Sequence, residues 1–241
     1  MYSTNITIGT LYLIPSTIGN SAIDKVIPFY VKEMINSIDE YIVENEKSAR
    51  YFLKKSEIKI PLHNLKLYPL NEHISIEEIS NYLSPILQGK NMGLISEAGC
   101  PAVADPGAEI VKMAHKKNIK VIPLVGSSSI LLALMASGMN GQNFAFIGYI
   151  PRDKNEKLKK IKELEKESFI KKQTQIFIEA PYRNQHLLED IVSTCANDTQ
   201  LCIATDITLD SEFISTKSIH EWKKPLPLIN KRPTIFLIYK S

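Results

Sequence analysis

The stretch from Gly93 to Gly107, GLISEAGCPAVADPG, constrains the fold of this chain more than any other. It passes from an apolar run through a loop of small residues into a helical pattern. Asn91 to Ile95 reads as a short strand, Gly99, Pro101, Pro106 and Gly107 punctuate a turn, and Ala108 to Lys117 shows helical periodicity with a basic final turn. In an open α/β sheet, ligands bind beyond the carboxyl ends of the strands, where such loops sit. Taken alone, the segment reads first as an ordinary strand-to-helix connection.

The rest of the chain repeats this alternation. Strands are predicted at Thr10 to Ile14, Glu40 to Val43, Met92 to Ile95 and Lys120 to Leu124. Helices are predicted at Ile23 to Asn36, Lys47 to Lys55, Ser75 to Leu87, the last opened by a Ser75…Glu78 capping box, and Ala108 to Lys117. Continuous apolar character in Leu94-Ile95 and Val121-Ile122 fits strands buried on both faces, hence a mostly parallel sheet with helices on both sides. After Pro123-Leu124-Val125-Gly126 a helix runs to Ser137. Beyond it come strands at Phe144 to Ile147, Gln175 to Ile178, Leu201 to Thr205, Glu212 to Ser215 and Thr234 to Tyr239, and helices at Asn155 to Phe169 and Tyr182 to Thr194. The expectation is an α/β protein of two domains, residues 1–124 and 125–241, the second built on a mixed sheet. No accessory module is expected after the last strand.

At 241 residues, 44% of them hydrophobic and 23% charged, the chain can bury a real core. A net charge of +3 neither demands nor excludes RNA. Cys100, Cys195 and Cys202 form no CxxC pair and have no His partner at metal spacing, so free thiols, no structural zinc and a reducing compartment are expected. No apolar run approaches the roughly 18 residues that span a bilayer, and the start, Met1 to Asn5, has no basic leader; a cytoplasmic protein without membrane association follows. No Gly-x-Gly-x-x-Gly or Walker pattern follows the first strand, where Leu13 to Gly19 reads LIPSTIG, which argues against a dinucleotide cofactor.

Several short motifs then fall in order. Gly9-Thr10-Leu11-Tyr12 with Pro15 and Ile18-Gly19-Asn20, Ser96 to Pro101 with Ala104-Asp105-Pro106-Gly107, and Gly126 to Ser129 with Ala136 to Met139 are followed by Gly148 to Pro151 and Glu179 to Arg183. In this order they resemble the GTLY…P…IGN, SDAGTP…SDPG, GPSA…ASGL, GFLP and ESPHR elements of the tetrapyrrole methylase family of S-adenosylmethionine (SAM) dependent methyltransferases. Within that family they are most similar to the branch that methylates a cytidine ribose 2'-hydroxyl in small-subunit ribosomal RNA. The resemblance runs from Gly9 to Tyr239. Two segments depart from it. The branch's AEDTR stands here as Val43 to Lys47, which keeps the first carboxylate and loses the aspartate and arginine. Its ARELTK with HE stands as Ala204 to Leu209 with Ser211-Glu212, short of an arginine, a lysine and a histidine. Lost cations bear on phosphate contacts more than on the methyl donor.

The resemblance implies SAM held by loop backbone in a cleft between two domains, a small ribosomal subunit as substrate, and a homodimer. The cofactor residues it points to are Pro15, Ser96, Glu97, Ala98, Gly99, Val125, Gly126, Ser127, Ser128 and Phe146. No metal is implied. The helix entrance at Gly126 reads as an anion cradle or as a capped start. Methyl transfer needs an acceptor oxygen about 3–3.5 Å from the methyl carbon and gains from a nearby carboxylate that takes its proton. Glu44 and Glu97, at strand ends, are the candidates, each read alternatively as a loop cap. Glu179 and Arg183 are candidate substrate residues, the Arg pairing a phosphate or a carboxylate. Asn71-Glu72-His73 resembles the family's HNE segment loosely and reads as well as a surface loop. The Lys-rich segment Arg152 to Lys172, with an apolar stripe of Leu158, Ile161 and Leu164, reads as a solvated helix or an RNA-facing one. Trp222 reads as a core or interface anchor near the surface, or as a base-stacking platform. Besides RNA methylation, the altered segments leave two readings open: methylation of a small molecule such as a tetrapyrrole, or SAM binding without catalysis.

Overall fold

The computed structural model describes residues 7–70, 74–223 and 225–241, so Asn71-Glu72-His73 lies outside the described residues. The chain divides into two compact units, Met1–Ser128 and Ser129–Ser241.

The N-terminal unit is a five-stranded parallel sheet. Its strands are β1 (Thr10–Ile14), β2 (Glu40–Val43), β3 (Lys66–Pro69), β4 (Met92–Ile95) and β5 (Lys120–Pro123), in the order β3-β2-β4-β1-β5. Strand residues alternate between two helical layers. Tyr41, Val43, Ile14 and Ile95 pack on α1 (Ile23–Val26), α2 (Phe29–Asn36) and α3 (Glu46–Lys55). On the other face, Leu11, Ile42, Met92 and Leu94 pack on α4 (Ile76–Tyr82), α5 (Ser84–Leu87) and α6 (Gly107–Lys116). β1 and β4 are neighbours, yet the chain leaves β1 toward β2 on one side and β4 toward β5 on the other. The loop after β1 leads to the layer of α1 to α3 and the loop after β4 to α6 on the opposite face, and loops that part to opposite faces leave a ligand crevice in open α/β sheets.

The C-terminal unit begins with α7 (Ser129–Ser137). It carries a mixed sheet of β6 (Phe144–Tyr149), β7 (Thr174–Ile178), β8 (Gln200–Thr205), β9 (Phe213–Ser218) and β10 (Thr234–Tyr239), in the order β6-β7-β10-β8-β9. Only the β6–β7 pair is parallel. One face is covered by α8 (Lys154–Lys171), α9 (Asn184–Thr194) and α10 (Ile219–Trp222), around the stacked rings of Phe177 and Phe236. The other face is covered by α7 through Ala133 and Leu134.

Three expectations about elements are corrected. The helix expected over Ile23 to Asn36 is two helices, because Pro28 has no N–H to continue the ladder and pushes Ile27 to extended backbone. The helix expected over Ser75 to Leu87 breaks at Leu83, with Pro85 in the first turn of α5. The helix expected from Tyr182 begins as a 3-10 turn, Pro181–Arg183, before α9. The sequence reading also missed β3, a half-buried edge strand ending in proline, and the short capping-box helix α10. Trp222 is a core anchor, as its first reading has it, though not near the surface: it is buried and its indole N–H donates to the Leu201 carbonyl at 2.9 Å. Along α8 the stripe is buried at Ile161 and Leu164, and Lys157 pairs with Asp190 of α9 at 2.8 Å.

Candidate active site

Three loops meet at the carboxyl ends of β1, β4 and β5 in the N-terminal unit. The Ser16 N–H donates to the Gly99 carbonyl at 2.9 Å, and the buried Ser96 hydroxyl donates to the same oxygen at 3.1 Å. Gly99 has φ +73°, a left-handed conformation that glycine adopts without strain, and a Cβ there would lie 3.1 Å from the Ser127 carbonyl. That carbonyl accepts from Cys100 Sγ at 3.4 Å, while the Ser127 hydroxyl donates to the Val26 carbonyl at 3.2 Å. Gly126 lies on the ring of Pro15. Pro15, Ser96 to Gly99, Gly126 and Ser127 are thus brought together, with Glu97 and Ala98 exposed; Val125 is exposed, and Ser128 ends the unit.

Downstream, the turn is held by a residue the sequence reading passed over. The Asp105 carboxylate accepts from the Ala102 N–H at 2.9 Å and the Gly107 N–H at 2.7 Å. Ala102 and Ala104 are held at φ +66° and +62°, where alanine is strained by about 1 kcal/mol or more. The Asp-Pro-Gly spacing was the available signal, since an Asp two residues before a helix start commonly caps it.

Glu44 follows β2. Burial first, then the charges of Asp105 and Glu97, push its carboxyl up to about 7, against a stabilising hydrogen bond from the Glu97 backbone N–H. Two carboxylates therefore act on a third, and Glu44 is poised to exchange a proton at neutral pH. The Glu97 side chain instead accepts from the Ser48 hydroxyl at 3.1 Å. Next to Glu44, Asn45 takes the helix-capping position, accepting from the Lys47 and Ser48 N–H groups at 2.9 and 3.1 Å. Asparagine and aspartate cap equally well, so this departure keeps the local fold.

The crevice has what a backbone-held organic cofactor requires. Glycine at 99 and 126 lets the three loops close on one another, since a Cβ would meet the Ser127 carbonyl or the Pro15 ring, and the buried Ser16 Oγ has no partner among the described residues and is left to bond a ligand. In the described residues no three His, Cys, Asp or Glu side chains are grouped to hold a metal.

The other candidates lie in the C-terminal unit. Phe146 packs partly on the α7-side core, just before a register shift at Gly148. Glu179 is buried at the end of β7, and its Oε1 accepts from the Ala180 N–H at 2.7 Å and from Arg183 Nη2. That contact raises the Arg183 pKa and makes a carboxylate the Arg's partner within the chain. In the second altered segment, Asp206 pairs with Arg232 at 2.8 Å, so a guanidinium from another part of the chain stands beside the carboxylate that was retained.

Comparison with known proteins gives a consistent result. No family model matches the chain. Over 213 residues it is 33% identical to ribosomal RNA small subunit methyltransferase I of Bacillus subtilis, covering 88% of this chain and 68% of that protein. The protein of the same name from Halalkalibacterium halodurans is 31% identical over 78% of this chain and 61% of its own length. That from Escherichia coli O157:H7 is 28% identical over 88% and 70%. Among solved structures, the methyltransferase CobJ superposes with a TM-score of 0.61 at 16% identity, covering 97% of this chain and 95% of that one. The cobalt precorrin-4 methyltransferase CbiF superposes with 0.59 at 15%, covering 95% and 94%. At those identities the likeness speaks for the fold.

Proposed function

Because the chain belongs to the ribosomal RNA small subunit methyltransferase I family, we propose that it transfers a methyl group to a cytidine ribose 2'-hydroxyl in small-subunit ribosomal RNA. It is a methyltransferase whose methyl donor is SAM. The observation that carries the site assignment is the meeting of Pro15-Ser16, Ser96 to Gly99 and Gly126-Ser127 at the topological switch point, with a buried hydroxyl left without a partner.

When bound, SAM supplies a methyl carbon on a sulfonium, open to in-line attack. Backbone of the three loops holds the donor, with Val125 and Ser128 flanking it; Phe146 is kept as a separate candidate for cofactor contact. A Glu44 carboxylate oxygen takes the proton of the acceptor hydroxyl, and the pKa near 7 suits that task. Glu97 then positions Glu44 through its N–H and keeps its pKa raised through its charge. Glu179 and Arg183 serve the substrate. A tetrapyrrole acceptor finds support only in the fold likeness.

Two further features belong to this reading. The apolar helix α7 carries no charge, yet Met135 is 78% exposed and Leu131 51%, which supports a homodimer. In the described residues no helix is long and apolar enough to cross a membrane, and a ribosomal substrate assigns the work to the cytoplasm.

The test is incubation of the purified chain with labelled SAM and undermethylated small subunits, followed by mapping of the labelled nucleotide. Label on a cytidine 2'-oxygen is expected. Bound cofactor without label on RNA would overturn the acceptor assignment, and light scattering of the same preparation checks the dimer.

A further inference from the structure

Five buried side-chain polar atoms have no hydrogen-bond partner among the described residues, and three of them fall within six consecutive positions: Glu179 Oε2, Arg183 Nε and Asn184 Oδ1. Leaving such atoms buried and unpaired is costly, so a cluster of them asks for an occupant. The Glu179 side chain is completely buried and Arg183 is 22% exposed. An Arg–carboxylate fork is commonly closed at both arms. Here one arm is closed, Arg183 Nη2 on Glu179 Oε1, while the second carboxylate oxygen and the guanidinium Nε have no partner, not even each other. The pair therefore keeps a spare acceptor and a spare donor. Outside it, the Arg183 guanidinium lies 5.2 Å over the Tyr182 ring, and Tyr182 and Tyr149 are both more than half exposed.

A spare carboxylate acceptor beside a spare guanidinium donor is complementary to an exocyclic amino group next to a ring nitrogen. An exposed aromatic ring at the same place offers a stacking face. We propose that Glu179, Arg183 and Tyr182 form a nucleobase-reading pocket. Glu179 Oε2 accepts from the amino group of the base, Arg183 Nε donates to the adjacent ring nitrogen, and Tyr182 swings outward to admit the base and stack on it. Cytosine and adenine share this edge; uracil and hypoxanthine present an oxo group where Glu179 needs a proton. Two molecules of the reaction carry the edge, the cytidine of the acceptor, which rests on the RNA reading above, and the adenine of the donor.

The test measures binding by calorimetry to the full chain, using two pairs of probes that differ only in that group. S-Adenosylhomocysteine against S-inosylhomocysteine addresses the donor, and cytidine 5'-monophosphate against uridine 5'-monophosphate the acceptor. The wild type is expected to prefer the amino member of one pair by about tenfold or more, and the pair concerned identifies the source of the base. Glu179→Gln, whose amide N–H donates where Oε2 accepted, should erase or reverse that preference by weakening the amino member and strengthening the oxo member, and Tyr182→Leu should weaken both members. Equal wild-type affinities within both pairs, or a preference that survives Glu179→Gln, would overturn the pocket. Should Glu179→Gln not fold, the wild-type preference and the exposed Tyr182→Leu variant decide the matter. Because binding is read without turnover, failure here is distinguishable from failure of methyl transfer to subunits.

Discussion

Gly126 is seated on Pro15 so closely that a Cβ at 126 would fall 2.2 Å from the proline Cγ and 2.4 Å from its Cβ. Neither atom can retreat easily, because Pro15 continues β1 and Gly126 follows β5, its neighbour in the sheet. Gly126→Ala should therefore separate two of the three loops of the crevice. The expected outcome is at least about tenfold weaker S-adenosylhomocysteine binding, with stability lowered by about 1–3 kcal/mol as for overpacked sites. Removing the ring as well, in Pro15→Gly with Gly126→Ala, should recover part of the loss, and additive losses in calorimetry would count against the contact.

Glu44 gives a pH dependence with a definite sign. Its pKa is raised from 4.5 to about 7, so between those values the folded state holds a proton that the unfolded state has released. By linkage, stability then falls as pH rises through this window and stays lower above it. Glu44→Gln removes the group, so the variant should gain on the wild type by about 1–3 kcal/mol between pH 5 and pH 8. Denaturant unfolding at the two pH values checks this. Activity should move the other way: wild-type kcat/KM rises with an apparent pKa near 7, and the variant loses about 10²–10⁴-fold. A variant that keeps both rate and pH profile would remove Glu44 as the base.

In the sheet itself, Gly93 is present because of Tyr41. A Cβ at 93 would meet Tyr41 Cδ1 at 2.6 Å and Ile14 Cδ1 at 2.8 Å, and the Tyr41 ring is fixed by donating its hydroxyl proton to the Ile35 and Ile38 carbonyls at 2.8 and 2.9 Å. Gly93→Ala is expected to cost about 1–3 kcal/mol, and pairing it with Tyr41→Leu should cost less than the sum of the two. Thermal melts of the four proteins in the cycle give the answer.

How far these contacts were legible depends on the range over which they act. β1, β2, β4 and β10 are apolar runs set off by turn residues, so their bounds could be read locally, and so could the capping box at Ser75. Helix breaks at Pro28 and Leu83 went unread because the apolar period continues across them; what changes is one backbone N–H, not the pattern. β3 was missed because an edge strand needs little hydrophobicity of its own when β2 supplies its partners. In the site, the loop residues 96 to 99 and 126 to 127 follow from turn chemistry and family resemblance. Asp105 did not, although it stands in the Ala104-to-Gly107 motif, because its work is done on N–H groups that only the folded turn brings together. The pairing of Asp206 with Arg232 spans 26 residues and has no local signature.

Asp105 carries two tasks that one substitution separates. Its carboxylate oxygens hold the Ala102 and Gly107 N–H groups, and its charge is the foremost of the two that raise the Glu44 pKa after burial. Asp105→Asn keeps an acceptor for the turn but removes the charge, so the apparent pKa of the rate profile should move down from about 7 toward the ordinary value of 4.5. Glu97→Gln should shift it in the same direction and by less, since its charge ranks below that of Asp105. Asp105→Ala loses the turn as well and should cost about 1–3 kcal/mol of stability, because Ala102 and Ala104 then have nothing to hold them in left-handed backbone. Profiles of kcat/KM against pH, taken beside melts of all three variants, distinguish the electrostatic task from the structural one. An unmoved profile in Asp105→Asn, with the fold intact, would show that the Asp105 charge does not raise the Glu44 pKa.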